Sequence, residues 1–471
     1  MQNISFQRII MFCVGAYFLT AFWAVIPIPI GLLTGKVYSE VAHGFFITFK
    51  FPFLNSYLPG QLIPLFFVAI LSFFSIKRFY IKSKNIDLKV VFFLSFYVLF
   101  NTIIQAGIEP NLVEYRFSSL FATLLPFFFF FTFMTIDINE KSLNIITKYL
   151  FIGIVIYAYY YFHSYTQLLE QFEGKLFSRL LGQRDVVLLN FGFLLLILKN
   201  YHSNYFLRFF GYCTAFLLLY ILLIAQVRLG YLLLLSNLLG LGVYYRKYFL
   251  KIFLPILVLM VFLYIFYFRN AGDVYELMTD IAENNIEDSI MVQINFGIAR
   301  FNTMVDSVMS IFSTNYIPNG SERVRFMIWD RILSSVLQSP LSMMFGSGEL
   351  GVHSLEESFL LNDDRGLYYA TFWDVNTSES QFFDTLFRRG LIGLVFLYTI
   401  YFRFFYLLRY LISFDKKFKD FYLAFYVWFF GFFVTLIFLP VLRDRAFALF
   451  FFIAYAILSS RAYIIRQHDK L

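Results

Sequence analysis

The sequence predicts an all-α polytopic membrane protein: about twelve transmembrane helices and one large extracytoplasmic loop containing short helices. Two observations carry that prediction. Hydrophobic residues make up 60% of the 471 positions and charged residues only 14%, against about 45–50% and about 25% in soluble domains. The apolar residues also gather into runs approaching the roughly 20 needed to cross a bilayer. A third observation, the distribution of charge between the connecting segments, sets the orientation.

Twelve spans are predicted, at 9–34, 57–76, 88–107, 117–135, 145–163, 185–198, 205–225, 229–245, 250–268, 387–408, 421–439 and 446–464. The chain thus divides into 1–268 with nine helices, an extracytoplasmic (periplasmic) loop at 269–386, and 387–471 with three more. No cleavable signal precedes the first span, which is too long and lacks a basic run before it. Span six is short. Val186–Leu198 covers about 20 Å at 1.5 Å per residue, so the helix either starts near Arg179 or is broken or re-entrant and buried in protein. Gln226 to Gly230 read as a tight outer hairpin between spans seven and eight. Within the large loop, Phe301, Met304, Val305, Val308, Met309 and Phe312 predict an amphipathic helix over 299–312. Phe326, Trp329, Leu333 and Val336 predict another over 323–338, with Pro340 just past its end. Gly346 to Gly351 read as a flexible turn.

With the N-terminus inside, the inner face carries 21 Lys+Arg against 6 Asp+Glu, and the outer face 17 against 24. The sums, +15 and −7, add to the formal net charge of +8. This is the positive-inside pattern, with 77–89 and 403–419 as its strongest segments, and both termini are cytoplasmic by it. The excess positive charge faces anionic membrane lipid, so a nucleic-acid partner is not expected. Cys13 and Cys213 fall inside apolar spans and read as packing residues. The five histidines lack ligand spacing, so no metal is indicated.

One bias goes beyond topology. Thirteen of the 21 inner cations are lysine, yet the outer side after Lys175 carries thirteen arginines and no lysine. Topology is indifferent to the kind of cation. Arginine offers a planar fork for phosphate and keeps its charge when desolvated. The set favours a phosphorylated anionic ligand, with snorkelling and pairing to outer acids as the plainer account. Arg228 lies within some forty apolar residues, where a charge is costly unless paired or wet; it reads as a pyrophosphate contact or an interface anchor. Arg179 and Arg184 flank Gly182 ahead of span six, whose N-terminus favours anions, although Glu170, Glu173 and Asp185 are within reach in sequence. Glu379, Phe383, Leu386, Gly390 and Gly393 share one helical stripe. Glu379 there reads as a general base toward a sugar hydroxyl, or as the far half of a capping box begun by Asn376. Arg388 is placed as the i+4 partner of Asp384.

In order, these residues are Arg179-x2-Gly182, Arg228 at the start of a span, Arg325-x3-Trp329-x10-Pro340-x5-Gly346-x-Gly348, and Glu379-Ser380-x9-Gly390-x2-Gly393. Over roughly 175–395 the set resembles the bacterial O-antigen polymerase and O-antigen ligase superfamily, which acts on polyprenyl-diphosphate-linked glycans outside the inner membrane. In the ligase branch a His-Asn-like pair stands where this chain has Glu379-Ser380, which looks more like the polymerases. The resemblance implies metal-independent glycosyl transfer without a cofactor. Arg179, Arg184, Arg228 and Arg325 would hold the donor diphosphate, and Glu379 would activate the acceptor hydroxyl. It also implies a location in the bacterial cytoplasmic membrane and a chain-length regulator protein as a partner. Rival expectations are a ligase, a flippase for the same lipid-linked units, and a membrane glycosyltransferase. The lack of two related halves counts against the flippase, and the single acid Glu40 in the 35–56 stretch counts against the last.

Overall fold

The computed structural model describes residues 2–20, 49–50, 57–58, 62–73, 82, 85–108, 113–171, 183–199, 205–224, 228–245, 320–348, 380–436, 442 and 445–468. Its helices are α1 (Gln2–Thr20), α2 (Leu62–Phe73), α3 (Ile86–Ile108), α4 (Val113–Met134), α5 (Glu140–Gln171), α6 (Gln183–Lys199), α7 (Tyr205–Ile224) and α8 (Arg228–Tyr244). They continue with α9 (Gly320–Leu337), α10 (Pro340–Phe345), α11 (Gln381–Phe414), α12 (Lys419–Thr435) and α13 (Arg445–His468). The described residues are helical apart from turns and one antiparallel pair, β1 (Phe49–Lys50) with β2 (Tyr57–Leu58); β2 takes the first two residues of the span expected at 57–76, whose described helix starts at Leu62.

Five described helical stretches are long and apolar enough to cross a membrane: Ile86–Ile108, Glu140–Tyr159, Tyr205–Leu222, Gln381–Phe414 and Phe447–Gln467. Shorter apolar stretches lie at Gln7–Leu19, Pro64–Phe73, Thr123–Met134, Val186–Leu198 and Leu232–Gly242. The chain is an integral membrane protein. The ninth span, at 250–268, and the amphipathic helix at 299–312 lie outside the described residues.

Helix α6 explains why span six can be short. It begins at Gln183 and runs 17 residues, about 25 Å, and Val186, Val187, Phe191 and Leu195 are wholly buried. Neighbouring helices α5, α7, α8 and α12 surround it, so lipid does not set its length. Trp428 of α12 closes the packing on it, donating from Nε1 to the Val187 carbonyl at 2.8 Å and meeting Phe191 edge-on at 5.4 Å. Around Trp428 the rings of Phe425, Phe432, Phe447 and Phe450 interlock. By contrast Phe92, Phe96, Phe100 and Ile104 of α3 are exposed on a face suited to lipid.

At one end of the bundle, charged residues that the alternation assigns to a single face do meet. Asp87 accepts from Arg403 Nε at 2.8 Å, Tyr455 Oη at 3.0 Å and Ser459 Oγ at 3.1 Å. Asp415 accepts from Tyr422 Oη and Arg461 Nε, both at 2.8 Å. Lys82 Nζ donates to the Ile136 carbonyl at 2.9 Å and Ser460 Oγ at 2.8 Å, and pairs with Asp137 at 3.0 Å. These contacts tie α3, α11, α12, α13 and the α4–α5 turn together.

In the large loop, Pro340 lies just past α9, as its position predicts, and it also opens the next helix, α10, with the Ser339 side chain accepting from the Ser342 N–H at 3.0 Å. A proline at the first helical position loses nothing, because that N–H has no helical acceptor. Of the turn expected at 346–351, the described residues 346–348 are held by backbone hydrogen bonds to α11.

Candidate functional site

Helix α11 is two helices joined at Gly390, whose φ of 61° and ψ of −164° interrupt the helical path. Against the break lies Gly346, also left-handed at φ 68°. A Cβ on Gly346 would fall on the Arg388–Gly390 backbone, and one on Gly390 on the Met344–Phe345 backbone. Two main chains touch here, and glycine at both positions is what permits it. The break also undoes the expectation of one continuous stripe from Glu379 to Gly393.

Breaking a helix strands carbonyls, and in a membrane each stranded group costs several kcal/mol. Here each finds a donor. The Ser347 and Gly348 N–H groups donate to the Phe387 and Arg388 carbonyls at 2.7 and 2.9 Å. From α3, Tyr97 Oη donates to the Arg389 carbonyl at 2.6 Å. Asn101 Nδ2 reaches the Phe345 carbonyl at 2.8 Å and that of Arg388 at 3.3 Å. Gln105 Nε2 donates to the Gly346 carbonyl at 3.3 Å. Tyr97, Asn101 and Gln105 were not singled out in the sequence, although their i, i+4, i+8 spacing in an apolar span was a visible signal.

The segment before the break is held from both sides. Ile328, Ile332 and Val336 of α9 bury against Leu386, Phe387 and Leu394, and Trp329 stacks on Phe383 with centroids 4.9 Å apart. At its start, the Gln381 N–H donates to the Leu436 carbonyl and Gln381 Oε1 accepts from the Leu442 N–H, both at 2.9 Å. Ser380 stands at the N-cap position of α11, while Asn376 and Glu379, the expected capping box, lie outside the described residues. Arg388 pairs with Asp384 at 3.2 Å, both buried, as their spacing suggested.

Of the proposed site residues, Arg179 and Glu379 lie outside the described residues. Arg184 is the second residue of α6, Arg228 the first of α8, and Arg325 lies in the first half of α9. Gly230 abuts Val186 closely enough that a Cβ would meet its Cγ1 at 2.7 Å. That contact sets the first turns of α6 and α8 side by side. Positions 184 and 228, each two residues earlier, therefore begin at one level. No cluster of His, Cys, Asp or Glu that could hold a metal occurs among the described residues.

Residues 213–398, from within α7 to within α11, match the family model described as O-antigen ligase. No curated protein matches the chain significantly. The matched stretch contains Arg228, Arg325, the Gly346 contact and both halves of the break. Over those residues the chain is similar to the O-antigen ligase family, whose members transfer glycosyl groups, in line with the resemblance noted in the sequence.

Proposed function

We propose that the protein joins polyprenyl-diphosphate-linked oligosaccharide repeat units at the outer face of the bacterial cytoplasmic membrane, building an O-antigen or capsule-type polysaccharide. The observation that carries this reading is the match over 213–398 combined with Glu379-Ser380 at the place where the ligase branch has its His-Asn-like pair. Arg179, Arg184, Arg228 and Arg325 hold the donor diphosphate, and their charge makes the lipid diphosphate a good leaving group. Glu379 takes the proton from the attacking hydroxyl of the acceptor glycan, and no metal or cofactor enters. The 269–386 loop covers the reacting sugars, both termini are cytoplasmic, and a chain-length regulator acts on the product.

The matching family, described as O-antigen ligase, favours ligase chemistry as the second reading. A deletion strain separates the two on a surface-glycan gel. Collapse of the ladder to a single repeat unit supports polymerisation, whereas loss of surface chains with polymer accumulating on its carrier lipid identifies a ligase. An unchanged ladder overturns both. For the mechanism, purified Glu379→Gln and Arg228→Ala proteins are expected to polymerise at most at about one-hundredth of the parental rate. Full-rate polymerisation by either would remove that residue from the chemistry.

A further inference from the structure

The break at Gly390 does more than join the loop to the span. It swings the side chain of Arg389 back over the first turn of the second half of α11. A Cβ on Gly393 would collide with the Arg389 Cβ and lie within 3.4 Å of its Cγ and Cδ. Gly393 is therefore the space through which the arginine stem passes. The second glycine of the motif serves the side chain, as the first serves the backbone.

The depth of this arginine can be read from α3. That helix is a candidate span of 23 residues, and Tyr97, whose hydroxyl holds the Arg389 carbonyl at 2.6 Å, is its middle residue. From there the stem runs toward Gly393, further along the span. The Tyr401 hydroxyl is buried and lacks a hydrogen-bond partner among the described residues, so it is a donor available to an acceptor brought alongside. Arg388 next door is fully buried against Asp384, whereas Arg389 stays partly accessible. A cationic side chain carried on a membrane span marks a functional position by default, and its planar fork matches a phosphate.

We propose that Arg389, steered over Gly393 by the break at Gly390, contacts the diphosphate of the lipid-linked donor. This rests on the reading in the preceding subsection and adds to it a residue that enters from the membrane side. A polyprenyl diphosphate has its charge at the head of a chain lying in the hydrocarbon. Arg389, beside the break where the loop joins the span, offers that head group a cation.

The test uses the full chain in phosphatidylethanolamine nanodiscs, with undecaprenyl diphosphate and undecaprenol as probes and binding followed by native mass spectrometry. The wild-type protein is expected to retain the diphosphate in preference to the alcohol. Arg389→Gln is expected to weaken diphosphate binding at least about tenfold and leave undecaprenol unchanged, and Arg389→Lys to weaken it about threefold. Gly393→Ala, which keeps the charge but blocks the stem's path, is expected to behave like Arg389→Gln. Equal diphosphate binding by wild type and Arg389→Gln overturns the proposal and leaves the donor assignment intact. Equal loss of both probes makes Arg389 structural and overturns it too. A wild-type chain that does not discriminate between the probes overturns the donor assignment and this proposal together.

Discussion

Two glycines carry the site's backbone, and each is required for two reasons. Gly346 and Gly390 have positive φ, and each presses against the other's chain. An alanine at either position meets about 1–2 kcal/mol of left-handed strain and a backbone collision with no flexible side chain to yield. Gly390→Ala is expected to lower the unfolding midpoint in detergent and to reduce polymer formation by on the order of 100-fold, since a shift of about 1 Å suffices for that. Wild-type activity in this variant would show that the break is incidental. Asn101 makes a second prediction. Its one amide reaches the carbonyls of both chains; Asn101→Leu, of similar volume, takes the short bond from the Phe345 carbonyl at a cost of about 1–3 kcal/mol, while the Arg388 carbonyl keeps the Gly348 N–H. Proteolysis of the 340–348 segment in detergent should accelerate accordingly, and an unchanged cleavage rate would remove the amide from that role.

Among the elements, α3 has two duties at its two ends. From its middle onward the Tyr97, Asn101 and Gln105 stripe fastens the loop to the break in α11, while at its first turn Asp87 binds Arg403 of α11. Helix α11 is thus pinned to α3 above and below. Removing one member of the buried Asp87–Arg403 pair leaves its partner charge uncompensated, which costs about 3–5 kcal/mol. Replacing both with apolar residues is far milder. Asp87→Leu alone is expected to abolish recovery of folded protein, and Asp87→Leu with Arg403→Met to restore most of it, as read by monodisperse yield in detergent. If the double variant yields no more than the single, the pair is not the reason Asp87 is buried. The elements also show where periodicity misled. Pro340 ended one helix as expected, yet the same residue starts another, because Ser339 supplies a cap that only the folded turn reveals.

At the scale of the molecule, the ion pairs show that residues 82, 87, 137, 403, 415 and 461 share one end of the bundle; which side of the membrane that end faces follows from the charge bias. In a variant lacking Cys13 and Cys213, the exposed Ser413 changed to cysteine is expected to react with an impermeant thiol reagent only from the cytoplasmic side. A cysteine replacing Asp374 in the long loop should react only from outside. Reversed labelling would invert the topology. Much of the architecture was legible beforehand, because bilayer crossing imposes apolar runs and inner lysines that a linear pattern records directly. For the short sixth span the sequence left two readings, a start near Arg179 or burial in protein; α6 starts at Gln183 with its core residues buried, because a helix shorter than the hydrocarbon must be shielded from it. The pairing of Arg388 with Asp384 was legible too, being local along one helix.

What the sequence by itself determined was therefore the membrane class, the five described helices long and apolar enough to cross a membrane, and the order of arginines and glycines that pointed to the family. Only the tertiary structure decided what the glycines are for. Positive φ at Gly390, its contact with Gly346 some forty residues away, the donors sent from α3, and the path of Arg389 over Gly393 all join segments remote in the chain. No periodicity encodes them, because a backbone-to-backbone contact leaves only the absence of a side chain in the sequence, and that absence looks the same at a hinge, a turn or a crossing.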